Sequence, residues 1–406
     1  MGNSSGLQIG QALVMVALPI LLSYGIPRGH LATVGALVLP MLLSSILWIV
    51  VFGDVDNSLV MKSLLVETVA ILPLVVAGVA VARGAHKALF AGVATAILTH
   101  AVIAAYQFFA FQRGEFPLLS LFQNPSFLQP TEDYARYVHR ITGLFPEPSA
   151  MAASIGPWLI LFAGVAVKGS RSLSGLPKTL FAIVAAAGVA MVLLSATGYS
   201  IVLIAILFLL FAIGLIAWSD ALRGGRRILV AATLVCAVAT AIFVAAQSLQ
   251  PRLDNVDGLS WSSRAASMKL GLASPVSTPR NVVAGVGPGM STAWMERTAA
   301  SEASFGKATV VAVWSVCIRY MCETGLLSLL AIGLVLSLSV RAVRRSSERL
   351  IGTAALAAWM VSIALTTSYV EMEGMWLFLG LLLSWDGVFP RQKRVSVING
   401  VRGIAA

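Results

Sequence analysis

Long apolar segments recur along the whole chain, and they constrain its fold more than any other feature. A helix needs about 20 residues to cross the roughly 30 Å hydrocarbon core of a bilayer. Only 11% of the residues are charged and 58% are hydrophobic, whereas a soluble domain carries about 25% charged residues. The sequence therefore predicts an all-α integral membrane protein with about eleven transmembrane helices. The predicted spans lie near 7–26, 31–53, 60–82, 88–110, 148–167, 178–196, 198–218, 228–247, 309–339, 351–369 and 374–389.

The basic residues of the short loops predict how the chain is oriented. The net charge is +11, and the loops between alternate spans are short and basic, so the charge indicates membrane topology rather than nucleic-acid binding. Loops rich in Lys and Arg stay in the cytoplasm. The alternation of basic loops therefore predicts that the N-terminus lies outside and the C-terminus inside. It also predicts a basic cytoplasmic tail that attracts anionic membrane lipid. The basic loop residues are Arg28, Arg83, Lys87, Lys168, Arg171, Arg223, Arg226, Arg227, Arg341, Arg344, Arg345 and Arg349.

Two sizeable polar segments interrupt the helices, and both are predicted on the outer face. They divide the chain into six regions: helices 1–4 over 1–110, a first periplasmic loop over 111–147, helices 5–8 over 148–247, a large periplasmic loop over 248–308, helices 9–11 over 309–389, and the basic tail over 390–406. All other loops are short. A helical bundle with two long loops on one face is expected to present its function there.

These outer loops carry basic residues against the usual topological bias. Guanidinium groups bind phosphate with matched geometry, which favours a phosphate or diphosphate site. The alternative is ordinary solvated charge, balanced by nearby acids. The basic residues are Arg113, Arg136, Arg140, Arg252, Arg264, Lys269, Arg280, Arg297 and Lys307.

The sharpest motif lies where the first outer loop re-enters the membrane, over residues 140–149. Pro146 and Pro148 restrict the backbone around Glu147 and suit a helix entrance. A partly desolvated carboxylate at such a border can act as a general base, because desolvation raises its pKa. Ser149 can hold an anion or cap the turn. The alternative is that Glu147 caps its own helix or pairs with Arg140.

A second motif lies in the large loop. Trp261 and Arg264 come first, then Arg280, then a Gly-x-Gly-x-Gly run that begins at Gly285 and Gly287. Glycines allow close backbone approach and can expose N–H groups to a phosphate, although a simple turn explains them as well. A nucleotide-binding loop is disfavoured, because no strand precedes the run and no Lys-Ser/Thr follows it. Tryptophan here can stack on a sugar ring or anchor at the membrane interface.

Few ionisable residues fall well inside the spans: Glu67, His100, Arg319 and Glu323. Arg319 and Glu323 are four residues apart on one helix face, so the spacing predicts an ion pair. A transporter more often has charges through the membrane midplane and helices broken by Gly or Pro. The concentration of polar residues in the outer loops favours an enzyme.

Together these features resemble the O-antigen polymerase and O-antigen ligase superfamily of membrane glycosyltransferases. The resemblance spans residues 100–380 and rests on five segments. They are Tyr106-Gln107, the Arg-to-Ser segment at 140–149, the Ser-x-Thr-Gly turn at 195–198, the arginine and glycines at 264–289, and the Glu-Thr-Gly at 323–325.

The resemblance implies a GT-C-like helical bundle in a bacterial inner membrane, without a nucleotide-sugar site, cofactor or metal. Such enzymes take glycans from an undecaprenyl-diphosphate carrier on the periplasmic side, and they work beside a flippase and a chain-length regulator. The resemblance gives Arg264 and Arg280 the diphosphate-binding role, with Arg140 third. It makes Glu147 the candidate base in one inverting displacement.

The resemblance covers polymerases and ligases, and one departure favours a polymerase. Ligases have a functionally important histidine in the large loop, whereas the outer loops here contain only His139, in the first loop. A ligase and a transporter of lipid-linked glycan or a small anion remain the alternatives. The predicted catalytic residues are Glu147, Arg264 and Arg280. The predicted substrate-binding residues are Arg136, His139, Arg140, Ser149, Trp261, Gly285 and Gly287.

Overall fold

The structure, a computed structural model, describes residues 14–16, 19–20, 22–53, 56–115, 141–145, 148–169, 171–195, 258–301, 313, 315–365 and 373–391. These ranges fold into helices and contain no β-strand. The helices are α1 (Arg28–Ile46), α2 (Asn57–Ile71), α3 (Pro73–Ala82), α4 (His86–Gln112), α5 (Pro148–Lys168), α6 (Lys178–Ser195), α7 (Gly258–Ala273), α8 (Pro279–Ala284), α9 (Ser291–Ser301), α10 (Val316–Thr324), α11 (Leu327–Arg345), α12 (Arg349–Leu365), α13 (Glu373–Leu383) and α14 (Trp385–Val388).

Within the described residues, six helical segments are long and apolar enough to cross a membrane, which agrees with the predicted class of all-α membrane protein. They are Arg28–Phe52, Asn57–Ala82, His86–Gln112, Pro148–Lys168, Lys178–Ser195 and Leu327–Arg345. Two shorter apolar helices, Arg349–Ala364 and Glu373–Leu383, fall within the last two predicted spans. The predicted spans at 198–218 and 228–247 lie outside the described residues, as does half of the span at 7–26. The total of eleven stays a prediction.

The core of the bundle forms around α5, which packs against α6, α12 and α13. Its first turns carry small residues, and Ala150, Ala152 and Ala153 are completely buried. Small side chains let neighbouring helices approach closely inside a bilayer, where dispersion contacts replace the hydrophobic effect as the main attraction. Trp158 on the same helix donates its indole N–H to the backbone oxygen of Gly374, 3.2 Å away.

One predicted span differs from the structure. The sequence predicts a single helix over 309–339, but α10 ends at Thr324 and α11 begins at Leu327. Gly325 lies between them with φ of +72° and ψ of −162°, a conformation essentially restricted to glycine. The mean hydropathy of the whole segment hides this break, because apolar residues outnumber Arg319, Glu323 and Thr324 within it.

The predicted basic loops meet at one end of the bundle, which we call the basic end. Each contact joins two segments that are distant in sequence but are predicted on the same side of the membrane. The contacts are Arg83 Nη2 to Tyr24 O (2.7 Å), His86 Nε2 to Ser172 O (3.2 Å), Lys168 Nζ to Glu348 Oε2 (2.5 Å) and Arg391 Nη2 to Arg344 O (2.6 Å). The loop with Arg223, Arg226 and Arg227 lies outside the described residues.

The opposite end, which we call the far end, is reached by α1 and α4. From Arg28 the helical segment continues for 25 residues to Phe52, a length of about 37 Å at the α-helical rise. Its last six residues, Leu47–Phe52, form a π-helical turn. Asp56 then caps α2. The pKa of the Asp56 carboxyl is lowered by hydrogen bonds, first from the Ser58 hydroxyl and then from the backbone N–H groups of Leu59 and Ser58.

Candidate functional site

Two short helices of the far end, α8 and α10, are joined at their C-terminal ends. Each ends at a glycine, and the backbone around each glycine donates hydrogen bonds to the other helix. The bonds are Val286 N to Cys322 O (2.8 Å), Gly287 N to Glu323 O (3.1 Å) and Leu326 N to Val282 O (3.0 Å). We call this arrangement, residues 281–287 and 321–326, the glycine clasp. It satisfies carbonyl groups that a helix C-terminus otherwise leaves unpaired.

The clasp requires both of its glycines. Gly285 has φ of +62° and Gly325 has φ of +72°. A Cβ on Gly285 would lie 2.4 Å from the carbonyl carbon of Glu323, and a Cβ on Gly325 would lie 2.7 Å from the oxygen of Val282. Both neighbours are backbone atoms, so a side chain at either position would force the two helices apart.

The indole of Trp48 supports the clasp from the π-helical turn of α1. Its Nε1 donates to the oxygen of Gly285 at 3.2 Å, and the side chain is only 5% exposed. Ser44, one turn earlier on α1, donates toward the oxygens of Ala284 at 2.6 Å and Glu323 at 3.0 Å. The end of α1 therefore contacts both halves of the clasp.

Arg280 extends over this aromatic surface. Its guanidinium carbon lies 5.0 Å from the ring centroid of Trp48 and 5.9 Å from that of Phe52. The two rings meet edge to face, with centroids 5.0 Å apart. A guanidinium on aromatic faces keeps its charge and its N–H groups directed outward. Arg280 is exposed, so the arrangement can bind an anion at the far end.

The glycine run packs closely against its surroundings and uses its own amides. The N–H of Gly285 donates to Asn281 O, and those of Val286 and Gly287 donate across the clasp. A Cβ on Gly287 would lie 3.2 Å from the Trp48 ring, and one on Gly289 would lie 2.0 Å from the Ser63 hydroxyl. These glycines therefore allow close packing beside Arg280, and their predicted contact with substrate stays a prediction.

Directly beside the clasp lies a cluster of buried charges. Arg319 donates to Glu323 Oε1 from Nε and to Glu67 Oε1 from Nη2, both at 3.0 Å. The predicted pair of Arg319 and Glu323 is therefore confirmed. Ser291, the first residue of α9, donates to Glu323 Oε1 at 2.5 Å. Both carboxylates are nearly inaccessible, with side chains 5% exposed for Glu67 and 2% for Glu323.

A cavity adjoins this charged cluster. It encloses about 750 Å³, part of it open to the surroundings, and its lining is predominantly apolar. Glu67, Arg319 and Glu323 lie in its wall, together with Tyr320. The Tyr320 hydroxyl donates to Leu37 O at 2.5 Å. The cavity places apolar space next to the residues that position the glycine run.

A second part of the far end holds the segment that follows Arg140. Gln107 on α4 accepts hydrogen bonds from the N–H groups of Thr142 (3.1 Å) and Gly143 (2.8 Å), and it donates to Gly143 O at 3.0 Å. His100, two turns earlier, accepts from Leu144 N at 3.3 Å. These bonds fix the turn at 141–145 to α4, just before the start of α5.

The structure brings together three of the predicted site residues, Arg280, Gly285 and Gly287. Ser149 is buried in the first turn of α5, and none of the described contacts joins it to the clasp. Trp261 and Arg264 lie within α7, but their side chains are outside the described part. Glu147, Arg140, His139 and Arg136 also lie outside the described residues.

Several residues that build the site could not be identified from the sequence. Trp48 lies near the end of an apolar span, where a tryptophan is ordinarily interpreted as an interfacial anchor. Ser44 and Ser291 carry no charge or motif. Gln107 is part of the family resemblance but had no assigned role. The π-helical turn at Leu47–Phe52 is the structural feature that best indicates the site, since such turns are frequent at functional sites.

The fold and the site define an all-helical membrane protein with a glycine clasp and an exposed arginine toward one end of its bundle, and with a charged cluster beside the clasp. No protein-family model matches the chain, and searches of curated proteins and of solved structures likewise find no match.

Proposed function

We propose that this protein is a membrane glycosyltransferase that polymerises oligosaccharide repeat units carried on undecaprenyl diphosphate. The proposal includes an eleven-helix, GT-C-like bundle in a bacterial inner membrane, with the basic end in the cytoplasm and the far end in the periplasm. The observation that carries it is Arg280, an exposed guanidinium held over Trp48 and Phe52 at the end away from the basic loops. An oriented guanidinium suits the diphosphate of a lipid carrier.

The proposed step is a single inverting displacement. The acceptor hydroxyl oxygen forms a bond to the anomeric carbon of the donor sugar, while the bond from that carbon to the diphosphate oxygen breaks. Glu147 takes the hydroxyl proton. Arg280, with Arg264, neutralises the charge that develops on the departing diphosphate, a task that needs no metal ion. Arg140, Arg136, His139, Ser149 and Trp261 are proposed to hold the rest of the donor and acceptor.

The turn at 141–145 supports the placement of Glu147. Gln107 holds Thr142 and Gly143, and α5 begins at Pro148. Because the described segments on either side of Glu147, the turn at 141–145 and the start of α5, lie near the far end, its carboxylate is expected at the same end as Arg280. A ligase would use the same chemistry with a different acceptor, and the lone His139 favours the polymerase.

Purified protein reconstituted with undecaprenyl-diphosphate oligosaccharide tests this proposal. We expect a ladder of repeat units on a gel that persists in chelator. Arg280→Ala and Arg264→Ala are each expected to lower the rate about a hundredfold, the usual effect of removing one group that stabilises the transition state. Glu147→Gln should abolish the ladder. Donor that returns unchanged in the wild-type reaction would contradict the polymerase.

One observation favours a second candidate, a transporter of lipid-linked glycan or a small anion. The break at Gly325 and the buried charges of Glu67, Arg319 and Glu323 are features that transporters use near the membrane midplane. In the same vesicles, unchanged donor that crosses the bilayer only when the protein is present would support this candidate and exclude the enzyme.

A further inference from the structure

Trp48 contacts both ends of α8, at Arg280 and at Gly285. Its indole N–H donates to Gly285 O at 3.2 Å, within the clasp. Its ring face lies under the guanidinium of Arg280, 5.0 Å from the centroid. The buried Trp48 side chain therefore helps to fix both the glycine run at Gly285 and the guanidinium of Arg280.

The π-helical turn of Leu47–Phe52 makes this double contact possible. The turn ends at Gly53, whose N–H donates to Trp48 O at 2.9 Å. It brings Phe52 against Trp48, with ring centroids 5.0 Å apart and planes at 70°. Arg280 thus lies over a composite aromatic surface rather than over one ring.

The contacts leave little freedom for the ring of Trp48. Gly287 lies against it, since a Cβ there would lie 3.2 Å from Cδ1. Ser44, on the same helix, holds Ala284 O and Glu323 O. The ring is confined between α1 and the glycine run, so its position determines where Arg280 can extend.

We infer that Trp48 is a positioning residue, which holds the Arg280 guanidinium in the orientation that receives the donor diphosphate. This inference rests on the proposed function, because it assigns Arg280 its ligand. Without the indole face, Arg280 keeps its charge but loses a contact that restricts its rotamers. Trp48 acts through Arg280, so its loss should have no effect once Arg280 is gone.

A double-mutant cycle tests this dependence. Trp48→Leu is expected to lower kcat/KM about tenfold through loss of the cation–π contact, and Arg280→Ala about a hundredfold. The double variant should equal Arg280→Ala alone, because interacting residues are not additive. If the two effects multiply to a loss of about a thousandfold, Trp48 has only a general structural role and the inference fails.

Trp158 provides a matched control. It is also buried, donates its indole N–H to a carbonyl at 3.2 Å, and meets Phe378 edge to face at 4.8 Å. Trp158→Leu removes the same groups within α5, and its effect should multiply with that of Arg280→Ala.

A chemical readout separates this inference from the proposed function. Phenylglyoxal modification of Arg280, followed by mass spectrometry, reports the access to the guanidinium without any substrate. Trp48→Leu should raise the rate of modification at least about threefold through loss of the stacked ring, and Trp158→Leu should leave it unchanged. Equal rates in wild type and Trp48→Leu would overturn the positioning role. A wild-type protein that forms no ladder, but shows this protection, would overturn the proposed function alone.

Discussion

The two ends of the bundle use the same residue types for different purposes. At the basic end, arginine and lysine contact backbone carbonyls and a partly exposed acid, such as Glu348 beside Lys168. At the far end, Arg280 lies over aromatic rings, and beside the clasp Arg319 is held between two buried carboxylates. Charge at the basic end is predicted to set the orientation in the membrane. Charge at the far end builds a specific local structure.

Glycines show the same contrast. Gly84 ends a helix at the basic end with φ of +73°, and an added Cβ would have no neighbour within 4 Å. Gly285 at the far end has a similar φ, but an added Cβ would collide with backbone. The first glycine meets only the conformational demand of a turn, whereas the second also permits two helix ends to join.

The largest expected difference between the ends concerns ion pairs. Arg319→Met leaves Glu67 and Glu323 buried without their guanidinium, and breaking a buried ion pair in this way costs about 3–5 kcal/mol of the free energy of unfolding. Lys168→Met removes a partly exposed partner and should cost less than about 1 kcal/mol. Unfolding by SDS titration in mild detergent measures both. Equal losses would remove the distinction between the ends.

Alanine in place of glycine should give the next largest difference. Gly84→Ala places a side chain at positive φ, at about 1–2 kcal/mol, and Gly285→Ala places one at φ of +62° with ψ of −155°, a region essentially restricted to glycine. Gly285→Ala should cost about 1–3 kcal/mol more, because the new methyl group overlaps backbone of α10. The same unfolding experiment applies, and a Gly285→Ala variant as stable as Gly84→Ala would show that the clasp can open without penalty.

The smallest expected difference concerns the side chains that hold neighbouring loops. Gln107→Ala leaves the buried N–H groups of Thr142 and Gly143 without their acceptor, which costs about 1–3 kcal/mol. His86→Ala removes a partly buried contact to Ser172 and should cost less than about 1 kcal/mol. Hydrogen exchange of the amides at 142 and 143 provides the local readout. Unchanged exchange there would indicate that the turn is held by other contacts.

Much of the architecture follows from the sequence because it depends on local composition. Apolar length marks the spans of α1, α4, α5 and α6, and the parity of the basic residues agrees with the meeting of their loops at one end. The pair of Arg319 and Glu323 also follows, since a separation of four residues fixes both side chains on one face of α10.

The parts that sequence reasoning missed depend on contacts between distant residues. Trp48 and Gly285 are 237 positions apart, and no local pattern near either residue predicts the contact between them. Gly325 is one of many glycines in apolar sequence, and its break becomes evident only when Val282 is seen to accept from Leu326. The second carboxylate of the charged cluster, Glu67, comes from α2 and has no spacing relation to Arg319.

The central claim is that the chemistry lies at the far end, on the periplasmic side of the membrane. Labelling of intact cells with a membrane-impermeant maleimide tests it directly, with a cysteine introduced by Arg280→Cys or by Arg83→Cys and wild type as the blank. We predict that the Arg280→Cys protein is labelled in intact cells and the Arg83→Cys protein only after permeabilisation. Labelling of the Arg83→Cys protein alone in intact cells would place Arg280 in the cytoplasm and contradict a periplasmic glycosyltransferase.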